Sequence, residues 1–284
     1  MRLRTISALL LVPVLAMPAA AGASTDTSAS PSLDRGYHSM YNLQFAAAQQ
    51  EFSGWQKQHP DDPLGPVSEA AGLLFSELNR LGVLETRLFQ DDSRFEKRKK
   101  LTPDPDLRMR FNAALQRAEA HARVALSRDA NNENALFALA LAAGLRADYT
   151  ALVEKRNMAS LRHTKEASSL AKKLLGIAPQ YYDAYLATGV SKYIVGSLVA
   201  PVRWFVRLAG YEGDKDAGIK ELQLAADRGR YLAPFARILL CVAYLRDQKK
   251  EQARQLLAGL RSDFPNNDLF ARELARLQST AGGQ

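Results

Sequence analysis

The stretch Ala48–Pro60, AQQEFSGWQKQHP, recurs as Ala167–Pro179, ASSLAKKLLGIAP, and again as Ala253–Pro265, ARQLLAGLRSDFP. Each copy opens on a small residue, places apolar side chains four and seven positions later, and closes on proline. Residues at i, i+4 and i+7 share one face of an α-helix. A small side chain at the first of them lets a second helix cross closely, and proline, lacking an amide hydrogen, cannot continue the helix. Two weaker copies run Ala118, Ala122, Ala125 with Ala130 at the stop, and Gly218, Leu222, Ala225 with Arg230 at the stop.

Beyond three of the stops the chain crosses a short polar turn into a second apolar helix, in DANNENALFALA, APQYYDAYLATG and FPNNDLFARELA. Ala140 and Gly189 sit at matching positions in these second helices, where a small side chain again permits a close crossing, and Cys241 in ILLCVAYL fits a comparable slot. Period-2 alternation bounded by hairpin turns, the signature of strands, is absent. The fold class is therefore all-α. The last helix, DLFARELARLQ, is expected to start with Asp268 as its N-cap and to cover the open end of the array. A compact bundle with coincidental alanine spacing is the competing architecture, and it leaves the shared handover of five phrases unexplained.

This pattern resembles the tetratricopeptide repeat family, whose helix pairs carry small residues at both crossings and proline at the end. The likeness runs in register from about Leu33 to Leu277 and implies an irregular α-solenoid of antiparallel helix pairs over 33–278. The stops at Pro60, Ala130, Pro179, Arg230 and Pro265 are unevenly spaced. Only the last unit approaches the family period of about 34 residues, so the earlier ones carry insertions. A narrower likeness covers Arg203–Leu222, RWFVRLAGYEGDKDAGIKEL. It is similar to a passage in the eukaryotic tetratricopeptide family linked to inclusion-body clearance, through Gly210, Tyr211, Gly213, Asp214, Lys215, Gly218 and Leu222. That likeness implies a structural motif, in which Asp214 N-caps the helix that follows.

The N-terminus reads as an export signal. Arg2 and Arg4 precede the apolar run Ile6–Ala21, which ends in the small-residue pattern Ala21-Gly22-Ala23. The alternative, an uncleaved anchor, is disfavoured by Pro13 and Pro18 within a run shorter than the roughly 20 apolar residues a span needs. Residues 1–23 are thus expected to be removed, 24–32 to form a polar linker, and 279–284 a disordered tail, giving a periplasmic or secreted product. Cys241 is the only cysteine, so no internal disulfide framework exists and packing must supply the stability. The formal charge of +8 falls by two with the signal, a modest excess that favours anionic surfaces without naming one.

The insertions could build additional surface. The first, about Leu81–Leu107, holds the basic run Lys97, Arg98, Lys99, Lys100 and is broken by Pro103 and Pro105; it reads as a solvated loop, and nucleic-acid binding would require basic residues interleaved with aromatics. The second, around Arg146–Asn157, is expected only to lengthen two helices. The third, Val195–Gly218, contains an amphipathic stretch in which Arg203 and Arg207 flank Trp204. It could lie on an anionic membrane surface or pack over the edge of the solenoid.

Catalytic chemistry has little material. His38, His59, His121 and His163 are scattered without metal-ligand spacing, and Cys241 lies in an apolar run that suits a neutral thiol. Phosphate loops, nucleophile elbows and Ser-x-x-Lys motifs are absent. The pairs Asp61-Asp62 and Asp91-Asp92 fall in turns, where aspartate caps helices. No cofactor is implied.

The family resemblance places the first helix of each pair on the concave face, which puts Asn134, Phe137 and Leu141, then Asp183, Leu186, Val190 and Tyr193, along the groove. Such an apolar and aromatic lining suits an amphipathic helix or an extended peptide. Members of the family that bind chaperone tails clamp a terminal carboxylate with lysine and asparagine. Phe137 and Leu141 stand at those positions here. The expected function is a non-catalytic scaffold for a protein or peptide partner in the cell envelope. The alternatives are a peripheral membrane-surface protein using Arg203, Trp204 and Arg207, and an enzyme acting on envelope polymers. A groove filled by the chain's own insertions is the competing reading of that face, and oligomeric state is not legible.

Overall fold

The computed structural model describes residues 30–84, 102–198, 208, 210–211 and 213–281, and the helices belong to the unit that begins at Pro31. Among the described residues, eleven α-helices follow one another without a strand: α1 (Leu33–Tyr41), α2 (Phe45–Gln58), α3 (Leu64–Arg80), α4 (Pro105–Arg128), α5 (Glu133–Asp148), α6 (Asn157–Ile177), α7 (Tyr185–Ser197), α8 (Lys215–Arg228), α9 (Ala233–Arg246), α10 (Lys250–Asp263) and α11 (Asp268–Ala281). Neighbours in sequence pack against each other as antiparallel pairs, α5 with α6 and α7 with α8 most extensively. The result is an irregular α-solenoid of antiparallel helix pairs. Its last helix runs past the expected boundary at 278 to Ala281.

The repeated phrase occupies the second helix of each pair, and its first two positions are buried throughout. Ala48 and Phe52, Ala118 and Ala122, Leu222, and Ala253 and Leu257 are all at most 2% exposed, with Ala167 at 3% and Ala171 at 0%; Gly218 is buried as well. The stop works as expected even without proline. His59, Asp129, Ala178 and Phe264, the residues before four of the stops, have φ between −143° and −128° and leave the helical region. Proline imposes that conformation on its predecessor by a steric clash; at Asp129 the turn achieves it through the Asp129 carboxylate, which accepts from the Asn131 amide.

The opposite turn, from first helix to second, carries a recurrent feature that composition did not announce. Leu43, Gln248 and Gly82 adopt φ of 61°, 59° and 67°, and the following amides, of Gln44, Lys249 and Val83, donate to the carbonyls of Ser39, Tyr244 and Leu78. This is the Schellman closure, in which a left-handed residue satisfies the last carbonyls of the helix. Glycine is its usual occupant, but only one of the three positions holds it.

Two insertions differ from expectation. The segment after α5 does not lengthen the helix regularly: Tyr149–Val153 forms a π-helical turn, and Lys155 reverses the chain with φ of 59°. Pro105 starts α4 rather than breaking a helix, with Asp104 as N-cap accepting from the amides of Asp106 and Leu107, since proline's missing donor costs nothing in a first turn. The basic run 97–100 and the pair Asp91-Asp92 lie outside the described residues. The N-cap of α11 is Asn267, whose side-chain oxygen accepts from Leu269; Asp268 is the first residue inside the helix. Asp214 does cap α8, accepting from the Ala217 amide at 3.0 Å.

At the centre lies α5. With the π-helical turn it forms a 21-residue run, Glu133–Val153, long and apolar enough to cross a membrane, yet 67% of that window is buried inside the protein. A helix that is apolar on all sides is one covered on all sides. Here α3 and α4 cover one flank and α6 and α7 the other.

Candidate functional site

The inner face of the solenoid is closed by its own first helix. Tyr37 of α1 stacks on Tyr231 at 5.0 Å and meets Phe52 edge-on at 5.4 Å. Tyr41, one turn later, packs against Phe75 and Phe264. Polar groups complete the closure: the Tyr41 phenol donates to the Tyr231 carbonyl, the Asn267 amide donates to the Tyr41 carbonyl at 2.8 Å, and Asn42 accepts from the backbone of Asn266. Arg230 forms a bidentate pair with Asp34. The first helix therefore bonds directly to the segments that precede α9 and α11.

This closure determines where the groove residues sit. Phe137 is 2% exposed, between Tyr181 at 4.9 Å and Tyr231 at 6.5 Å. Leu141 and Leu186 are buried too. Asp183 is also buried, and its carboxylate accepts from the amides of Arg230, Tyr231 and Leu232, the open backbone donors at the start of α9. Burial raises its pKa, and those three amides act in the opposite direction. These four side chains are interior, and Tyr231 lies against both Phe137 and Asp183. Asn134 is exposed and accepts from the Tyr181 phenol. Val190 and Tyr193 are half-buried, and burial raises the Tyr193 phenol. Arg203, Trp204 and Arg207 lie outside the described residues. Leu208, next in sequence, is 69% exposed.

What remains accessible beside Asn134 is a rim of aromatic and cationic side chains. Tyr182 and Tyr185 stack at 6.3 Å, the Arg228 guanidinium lies 4.4 Å from the centre of the Tyr182 ring, and Arg230 lies over Tyr231 at 4.9 Å. A short 3-10 turn, Tyr182–Ala184, sets the two tyrosines at the entrance to α7. The buried Asp183 between them anchors this turn to α9. Sequence reasoning did not single out Tyr182, Tyr185 or Arg228; the signal was the density of tyrosine in QYYDAY, which helical periodicity alone does not weigh.

The chain is similar to a solved tetratricopeptide repeat protein. That structure is of a thermophilic TPR protein from Thermus thermophilus, with 17% sequence identity, a TM-score of 0.44, and coverage of 87% of this chain and 96% of that one. No family model and no curated protein matches the chain.

The described residues hold little reactive chemistry. No group of three or more histidine, cysteine or acidic side chains among them could hold a metal ion. The Cys241 thiol is fully buried and its pKa is pushed up to about 12 by burial, so it is not a nucleophile at neutral pH. Glu77, 0% exposed, is held by a bidentate pair with Arg80 and by the Asp104 amide, a structural role that ties α3 to the start of α4.

Proposed function

We propose that this protein is an exported, non-catalytic scaffold of the cell envelope that binds a protein or peptide partner at the rim formed by Asn134, Tyr182, Tyr185 and Arg228. The carrying observation is the pairing of half-buried, stacked Tyr182 and Tyr185 with the guanidinium over Tyr182. Tyrosine and arginine supply most hot spots at interfaces, because a ring held by its neighbours offers apolar area at little entropic cost. An extended segment laid along this rim would stack on the rings and reach the Asn134 amide. Val190 and Tyr193, also half-buried, lie further along α7. A partner that engages Phe137 or Asp183 would first have to displace Tyr231.

A photo-crosslinking residue at position 185, introduced in the native cell, tests this. The expected result is a discrete adduct that is lost when Arg228→Ala and Tyr182→Ala are combined; adducts indifferent to both substitutions would dismiss the rim. Export has its own check, N-terminal sequencing of the protein from a periplasmic fraction, with Ser24 expected as the first residue.

A second reading is favoured by exposed Leu208, which follows Arg203, Trp204 and Arg207 in the sequence: peripheral attachment to an anionic membrane. Co-sedimentation of the mature chain with anionic vesicles at low salt, abolished by Trp204→Ala, is its expected signature.

A further inference from the structure

The tyrosine rim presents hydrogen-bond donors to solvent. Arg228 is exposed, and its guanidinium meets the Tyr182 ring 4.4 Å from the centre. A guanidinium stacked on a ring keeps its five N–H groups, which lie along its own edges. Among the described residues no carboxylate pairs with Arg228, whereas nearby Arg230 is engaged by Asp34 through two bonds. Asn134, also exposed, accepts the Tyr181 phenol on its side-chain oxygen, which leaves the two N–H groups of its amide without a partner among the described residues. The Asp183 carboxylate is turned inward onto the amides of Arg230, Tyr231 and Leu232, so the acid that separates the tyrosines in sequence does not answer Arg228. The Tyr185 phenol donates to the Pro179 carbonyl, which holds this ring in place before a partner arrives.

We propose that the segment bound at the rim is acidic: an extended stretch that lays an apolar side chain against Tyr182 and Tyr185 and sets the side-chain carboxylate of a neighbouring aspartate or glutamate on Arg228. This assignment rests on the rim being the binding surface. A carboxylate matches the guanidinium edge in two parallel N–H···O bonds, and the ring beneath keeps that edge oriented, so less freedom is lost on pairing. A solvent-exposed ion pair by itself contributes little. The apolar contact is therefore part of the recognition, because it brings the chain down over the pair and excludes water from it. Asn134 then donates to a backbone carbonyl of the same segment, a contact indifferent to its sequence.

The test uses an array of N-acetylated hexapeptide amides, each about 20 Å long when extended and without terminal charges, probed with the labelled mature protein. Binders enriched in aspartate or glutamate beside an apolar residue are expected. The strongest is then synthesised with fluorescein and titrated by anisotropy in a double-mutant cycle. Arg228→Gln, and replacement of the peptide's acid by its amide, should each weaken binding about tenfold, as loss of a charged hydrogen bond does. The two together should cost little more than either alone, since they remove the same contact. Arg228→Gln lies on an exposed position and should leave the circular dichroism unchanged, and affinity should fall as sodium chloride is raised. Acidic binders that Arg228→Gln does not weaken overturn the assignment, as does an array on which nothing binds. Binders that are lost in Tyr185→Ala yet show no preference for an acid also overturn it but leave the rim standing, whereas absence of any crosslink from position 185 in the native cell removes both.

Discussion

The phenol of Tyr41 donates a hydrogen bond of 3.2 Å to the backbone carbonyl of Tyr231, joining residues 190 positions apart in sequence. In an open solenoid each unit touches only its neighbours and stability is a sum of local terms. Here the first helix also bonds to the segments before α9 and α11, so the ends of the array should unfold together.

Asn267→Ala tests that coupling. It removes the donor to the Tyr41 carbonyl and the cap of α11, and should cost about 2 kcal/mol in urea denaturation. Hydrogen exchange should accelerate in α1 as well as in α11. If α11 alone frays while α1 keeps its protection, the closure is not cooperative.

Gly218→Ala sets helix propensity against space. Alanine would favour the helix by about 1 kcal/mol, but its Cβ would stand 2.6 Å from the Tyr193 amide nitrogen and 2.8 Å from the Gly189 carbonyl oxygen. Backbone cannot swing aside as a flexible side chain can. The variant should be destabilised by about 1–3 kcal/mol, and a raised melting temperature would show that α7 and α8 do not cross closely.

Asp148 gives stability a pH dependence. Burial raises its carboxyl from 3.8 to about 7, so the folded state binds a proton that the unfolded chain has released. This contribution is full below about pH 4, declines as pH rises toward 7, and is absent above it. Asp148→Asn should flatten that part of the stability profile and stabilise the protein at pH 8 relative to the parent. An unchanged profile would mean that this carboxyl ionises as it does in water.

Cys241 should be silent toward thiol reagents in the native state. It is 0% exposed and its thiol lies 3.6 Å from the Ala253 carbonyl oxygen. Labelling should proceed only at the rate of unfolding, and rise with urea in step with the loss of helical signal. Rapid stoichiometric labelling in buffer would contradict the packing of α9 on α10.

Around the candidate site the helical register is legible in sequence, and the exposure of its residues is not. The register carries Phe137 and Asp183 to the inner face, but both are met there by Tyr231, which is distant in sequence. No local pattern tells a groove residue waiting for a partner from one already covered by the chain itself. The rim escaped for a related reason: Tyr182, Tyr185 and Arg228 come together only because the Asp183 carboxylate ties one turn to the start of α9.

The helices, their pairing and their small-residue crossings follow from the sequence alone, because they depend on contacts a few residues apart: Ala48, Ala167 and Ala253 recur at the first position of the phrase and are all buried. The Schellman turns at Leu43 and Gln248 were less legible, since a left-handed conformation there is held by the adjoining helices and not by glycine. Whether the inner face is open was decided only in three dimensions. Closure depends on hydrogen bonds and ring stacking between α1 and residues beyond 230, and these arise from how small rotations accumulate from one helix pair to the next, a sum to which every unit contributes.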